Sequence, residues 1–199
     1  MTILCLDNIN MKAILGILAT LIAIFGYLPY LKDTFKGKTK PHIFSWFLWG
    51  LVSLIAFGIQ VTNKGGFGSL PNLVMVVICL IIFIRAIKNG TKEISKIDIV
   101  SLVLALMAII LWLIAKQDLL SIIFIIFVDI FSFLPTFRKS WNKPGEETLV
   151  TWIMNAIRQI LIIFALEEIN IINAAYPVYA LTAVGLFCVM LIYRKKKLD

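Results

Sequence analysis

Histidine occurs once in the 199 residues, at His42, and cysteine three times, at Cys5, Cys79 and Cys188. One histidine excludes a multi-histidine metal centre, and no two cysteines stand at ligand spacing. Cys79 and Cys188 lie inside apolar runs and read as small core residues, not as a disulfide or zinc set. No Ser/His/Asp set and no paired carboxylates within the apolar segments offer catalysis. Lys64-Gly65-Gly66-Phe67-Gly68 has no strand before it and reads as a flexible turn, not a phosphate loop. Neither an enzyme nor a bound cofactor is expected. Charge is scarce as well, at 15% of residues, whereas 61% are apolar. With a mean hydropathy of +0.98, the chain falls in the membrane class. The net charge of +8 would point to nucleic acid in a soluble protein. In a bilayer protein it marks the loops of one face, so nucleic acid is not an expected partner.

A helix needs about 20 apolar residues to cross a bilayer. Seven runs meet or approach this: 11–31, 42–62, 69–88, 97–115, 118–137, 148–167 and 171–193. Lys116-Gln117-Asp118 forms the turn between the fourth and fifth. The first run follows ten residues without a positive charge and is read as a retained helix, not a cleaved signal. Fifteen of the nineteen Lys and Arg residues fall after the first, third, fifth and seventh runs. In a seven-helix path these all lie on one side. The positive-inside rule then predicts an outside N-terminus and a cytoplasmic C-terminus. The absence of long loops and sorting tails makes a bacterial plasma membrane the simplest location. The basic tail Arg194–Lys197 reads as a stop-transfer flank.

A short stretch is written twice, as Ile-Phe-Gly-Tyr-Leu-Pro at 24–29 and Ile-Phe-Ser-Phe-Leu-Pro at 130–135. The same offset carries Pro29 to Pro135, Trp46 to Trp152 and Pro71 to Pro177 without a gap, which defines an internal repeat. Runs one to three match runs five to seven. Three is odd, so an extra crossing is needed to bring the copies parallel, and the fourth run is the inversion linker. The expected architecture is an all-α membrane protein of two three-helix bundles joined by a linker helix. The first repeat is 11–88, the linker 97–115 and the second repeat 118–193. Parallel repeats about an axis along the membrane normal are a transporter plan with the solute site between the halves.

In the second run His42, Ser45, Trp46, Trp49, Ser53 and Gln60 fall within about 100° of a helical face. The matching sixth-run positions are Thr148, Thr151, Trp152, Asn155, Gln159 and Leu166. Polar side chains are costly in lipid, so both faces should point inward. Trp49, Asn155 and Gln159 are candidates for lining a solute pathway. Ser45, Ser53 and Thr151 read rather as hydrogen-bonding glue between helices. Trp46 and Trp152 are divided between pathway and interfacial anchor. Asp129 and Arg158 are the charges inside the membrane. Measured from the loop between the fifth and sixth runs they lie at nearly equal depth, so an antiparallel hairpin would pair them. The alternatives are a structural ion pair, or a proton site at Asp129 with Arg158 holding its carboxylate or the solute. The first copy has Ala23 and Val52 here, so the charges are asymmetric. Pro29 and Pro135, near the cytoplasmic ends of their helices, are candidate hinges, and Pro177 should kink the last helix.

The doubled proline, the basic loop and the tryptophan-bearing helix resemble the PQ-loop superfamily, which includes the SWEET sugar carriers and lysosomal amino-acid exporters. The resemblance covers nearly the whole chain. Tyr30 and Thr136 stand where that signature has glutamine. It implies a fold of three, one and three helices with the N-terminus outside, and a solute site in which Asn72 serves as the third-helix asparagine. It also implies a proton site near the second signature, a neighbourhood that Asp129 shares. The expected function is an alternating-access carrier for a small polar solute (sugar, amino acid or vitamin-like), with proton coupling as an addition. The alternative is a non-transporting membrane receptor or assembly protein of the same fold. Expected partners are the solute, the bilayer, protons and, as an open case, a second copy of the chain.

Overall fold

The computed structural model describes the backbone of residues 2–115 and 117–198, and their side chains except those of 2–10, 108, 111, 112, 115, 118 and 198. The readings of Cys5 as unpaired and of Lys116 as a turn residue lie outside the described residues. Each apolar run becomes one helix: α1 (Thr2–Phe35), α2 (Ile43–Thr62), α3 (Leu70–Asn89), α4 (Lys96–Ala115), α5 (Asp118–Asn142), α6 (Leu149–Ala165) and α7 (Ile171–Leu198). Among the described residues, α1, α2, α3, α5 and α7 are long and apolar enough to cross a bilayer, and α6 is a shorter apolar helix.

The distribution of polarity is the reverse of a soluble protein's. Ile17, Leu21, Phe25 and Leu28 on α1 are exposed, as are Leu73, Val77, Leu80 and Ile84 on α3 and Ile110 and Ile114 on α4. Ser45, Gln60, Asn72, Asp129, Ser132, Asn155 and Arg158 are buried. A chain that turns aliphatic side chains outward and polar ones inward is built for an apolar solvent. The architecture is all-α and compatible with an integral membrane protein.

Helix neighbours do not follow chain order. α6 packs on α1 and α7, whereas α5 packs on α4, α2 and α7; α3 packs on α2 and α1. The close approach of α1 to α6 is made at Gly26, where a Cβ would stand 2.8 Å from the Met154 Cβ. α4 leans mainly on α5. Its start is a reciprocal cap, in which the Ser95 N–H donates to Asp98 Oδ2 at 2.7 Å and the Asp98 N–H to Ser95 Oγ at 3.3 Å.

The prolines are tolerated in two ways. Pro71 sits in the first turn of α3, where its missing N–H removes nothing. Pro29, Pro135 and Pro177 lie inside helices that run on past them, through residues 30–35, 136–142 and 178–198. At Pro177 the carbonyl four residues back, that of Asn173, accepts from Gln60 Nε2 at 3.3 Å. A side chain of a neighbouring helix thus replaces the hydrogen bond that proline cannot make.

The turn after α2 is not free, as its glycines led one to expect. Gly66–Ser69 forms a short 3₁₀ helix that packs on α1, α2, α3 and α6. A Cβ on Gly16 would lie 2.6 Å from the Phe67 carbonyl oxygen, so the turn and α1 touch backbone to side-chain root. Gly66 has φ of +56°, the left-handed conformation that glycine adopts without strain.

Candidate functional site

A cavity lies at mid-height of the helices, walled among the described residues by α1, α2, α3, α5, α6 and α7. α1 supplies Tyr27, α2 supplies Trp46, Trp49 and Ser53, and α3 supplies Met75 and Cys79. α5 adds Asp129 and Phe133, α6 adds Trp152, Asn155, Arg158 and Gln159, and α7 adds Tyr176, Ala180 and Val184. Its volume is about 40 Å³, room for about three water molecules. Trp49 stacks edge-on to Trp152 at 5.7 Å and to Phe133 at 5.3 Å between ring centroids. Trp152 meets Phe187 at 4.7 Å. These separations are those of favourable aromatic pairs.

The polar faces of α2 and α6 are buried, and Trp49, Asn155 and Gln159 reach the cavity. The interfacial-anchor reading of Trp46 and Trp152 does not hold. The indoles are 1% and 3% exposed, and each spends its N–H inside the protein, Trp46 on Tyr30 Oη at 3.2 Å and Trp152 on Glu147 Oε2 at 2.9 Å. Ser45 is glue as expected, accepting from Thr136 Oγ1 at 2.9 Å across α2 and α5.

Asp129 and Arg158 both line the cavity, but they do not pair. The hairpin expectation fails because α6 packs on α1 and α7, not on α5. Asp129 accepts from Tyr179 Oη at 3.0 Å and from Tyr176 Oη at 3.4 Å. Arg158 gives Nε and Nη2 to Asn155 Oδ1 at 3.0 and 2.8 Å. Its Nη1 is buried with no hydrogen-bond partner among the described residues, as is Gln159 Oε1. An arginine at the centre of a membrane helix costs about 2.5–3.5 kcal/mol to insert on translocon scales, so a partly unpaired one marks a candidate functional site.

Asn72 does not reach the cavity. It donates to Gln60 Oε1 at 2.8 Å, and Gln60 in turn holds α7. Asn173 Nδ2 completes this layer by donating to the Asn63 and Glu168 carbonyls at 2.8 and 3.0 Å. Lys12 Nζ closes the rim on the Glu167 carbonyl at 2.9 Å. The asparagine assigned to the solute is therefore part of a plug that ties α2, α3 and α7 together beyond the cavity.

The opposite end, where the basic loops meet, is closed more heavily. Lys139 and Glu147 form an ion pair with side chains 1% and 0% exposed, and Lys139 Nζ also donates to the Lys40 carbonyl at 2.8 Å. Lys40 pairs with Glu146 at 2.7 Å, its own repeat-equivalent position. Asp98 takes Arg138 Nη2 at 2.6 Å and lies 3.4 Å from His42 Nε2, joining the starts of α4 and α2 to α5. His42 belongs to this layer and not to the cavity. Outside it, Lys143 hydrogen-bonds Glu93 and holds that carboxyl below its ordinary range.

Sequence reasoning missed Tyr27, Phe133, Tyr176 and Tyr179. The first two are the aromatic position of the doubled stretch itself, and the repeat was a signal that could have found them. The last two flank Pro177 at a spacing of three residues, which puts them on one helical face. No group of three or more His, Cys, Asp or Glu side chains able to hold a metal occurs among the described residues. No protein-family model, curated protein or solved structure matches the chain.

Proposed function

We propose that the chain is a membrane carrier for a small polar solute that works by alternating access, the class its PQ-loop resemblance implies. The observation that carries this reading is the cavity: six helices wall it, polar groups of both repeat copies face it, and a separate polar layer closes it at each end. A receptor or scaffold has no need of two seals around an internal polar chamber.

The packing supports two parallel bundles with α4 as linker. α1 against α6 is matched by α5 against α2, α2 against α3 by α6 against α7, and α1 against α3 by α5 against α7. Each pair maps onto its partner by the repeat offset, as a two-fold axis along the membrane normal requires. Among the described residues α4 contributes nothing to the cavity. The basic loops meet at one end, the expected cytoplasmic side. The proline positions lie within continuous helices, so the hinge role of Pro29 and Pro135 takes the form of bending inside a helix, not of a loop-end break.

Asp129 is the proposed proton site. It is a buried carboxyl of the cavity wall whose hydrogen-bond partners among the described residues are two tyrosine hydroxyls. Counterflow in proteoliposomes over a panel of sugars, amino acids and vitamins, at two pH values, tests the reading. Saturable exchange of one class is expected. In Asp129→Asn, uptake should fall about tenfold, equivalent to about 1.4 kcal/mol, and lose its pH dependence. Unchanged pH dependence would remove the proton role, and no exchange of any solute would favour the receptor alternative.

A further inference from the structure

We infer that the cavity is a receptor for a small zwitterionic carboxylate, with Arg158 binding the carboxylate and Gln159 and Asp129 facing the ammonium. Three observations carry this. Asn155 takes two of the arginine's N–H groups on one oxygen, which fixes the guanidinium plane and leaves Nη1 buried with no acceptor among the described residues. Gln159, which lines the same cavity, leaves its carbonyl oxygen without a donor among the described residues. A buried cationic donor and a buried neutral acceptor in the wall of one cavity are complemented by a solute that carries both a carboxylate and an N–H. Charge balance then selects among carboxylates. The wall already holds Asp129. While Asp129 is ionised, a solute that is only an anion would set two carboxylates against one guanidinium. A zwitterion keeps the chamber neutral and offers Asp129 a cation. The volume of about 40 Å³ favours the smallest such compounds.

The substrate class rests on the carrier reading only for its transport arm; binding is tested on its own. Glycine, L-alanine and L-serine are titrated into the purified chain, with quenching of tryptophan emission as readout, since Trp46, Trp49 and Trp152 line the chamber. Propionate and ethylamine each keep one charge of alanine, and glucose has neither. Each should bind about 10- to 100-fold more weakly than alanine, the loss expected for one charged hydrogen bond. Arg158→Gln should lose the zwitterion by a similar factor, and Arg158→Lys should retain part of it. The analogue series on the unaltered chain needs no variant to fold. Binding of glucose in preference to all three zwitterions, equal binding of propionate or ethylamine and alanine, or a well-folded Arg158→Gln with unchanged affinity would each overturn the inference. Counterflow of a sugar by the same protein would do so while leaving the carrier reading standing. Zwitterion binding without counterflow would uphold the site and overturn transport.

Discussion

Replacing Lys139 by methionine should destabilise the protein by about 3–5 kcal/mol, the cost of leaving one member of a buried ion pair without the other. Both side chains are almost fully buried, and Glu147 would be left with Trp152 Nε1 as its side-chain donor among the described residues. Removing the charge from both partners should restore most of the loss. Lys139→Met with Glu147→Gln keeps an acceptor for the Trp152 indole and leaves no buried ion. Thermal unfolding of the detergent-solubilised protein measures both. A single variant within about 1 kcal/mol of the unaltered chain, the range of an exposed pair, would show that water reaches this layer. If the chain is a carrier, the same pair must hydrate whenever the basic-loop side opens. Lys139→Met should then also shift Trp152 emission to longer wavelength, because the closed form has lost its lock.

How much of this was legible beforehand depends on what each feature is fixed by. Helix number and the inward direction of the α2 and α6 faces follow from composition and period, because lipid penalises a polar side chain at every outward position. The inward placement of Trp49, Asn155 and Gln159, now on the cavity wall, was read that way. Neighbour relations are another matter. Asp129 and Arg158 were set at one depth correctly enough to share a cavity, yet the hairpin assumption paired them directly. Nothing in the sequence between two helices states that α6 will lie against α1 and α7. Asn72 was assigned by analogy of position, and its side chain meets Gln60 and not the cavity. Lys139 is the reverse case. Among loop lysines it looked like one more positive-inside charge, and only the meeting of the last turn of α5 with Lys40 and with the segment before α6 makes it a buried partner of Glu147. The doubled stretch was read for its proline, but its small third residue and aromatic fourth residue hold the helix crossing and the cavity wall.

That small residue gives a sharp expectation. Gly26→Ala should lower stability by about 1–3 kcal/mol, the usual cost of overpacking, although alanine is favoured over glycine in a helix interior by about 1 kcal/mol. The two effects oppose each other, and the geometry decides. The new Cβ would lie 2.8 Å from the Met154 Cβ, an atom anchored to its own backbone, so relief requires α1 and α6 to separate. Gly58→Ala and Gly185→Ala are the controls: a Cβ there meets nothing within 4 Å, and both should be neutral or stabilising by up to about 1 kcal/mol. Thermal unfolding of the three variants orders them. A Gly26→Ala protein as stable as the Gly58 variant would mean that the helices do not approach this closely. The repeat sharpens the point. Ser132 holds the same place in the second copy, where α5 meets α2, and it is fully buried. A small side chain at both crossings lets each first helix lie directly on the second helix of the other copy. In a protein that rocks its halves, these two crossings are where added bulk would hold the bundles apart. Gly26→Ala should therefore impair exchange beyond what its loss of stability explains.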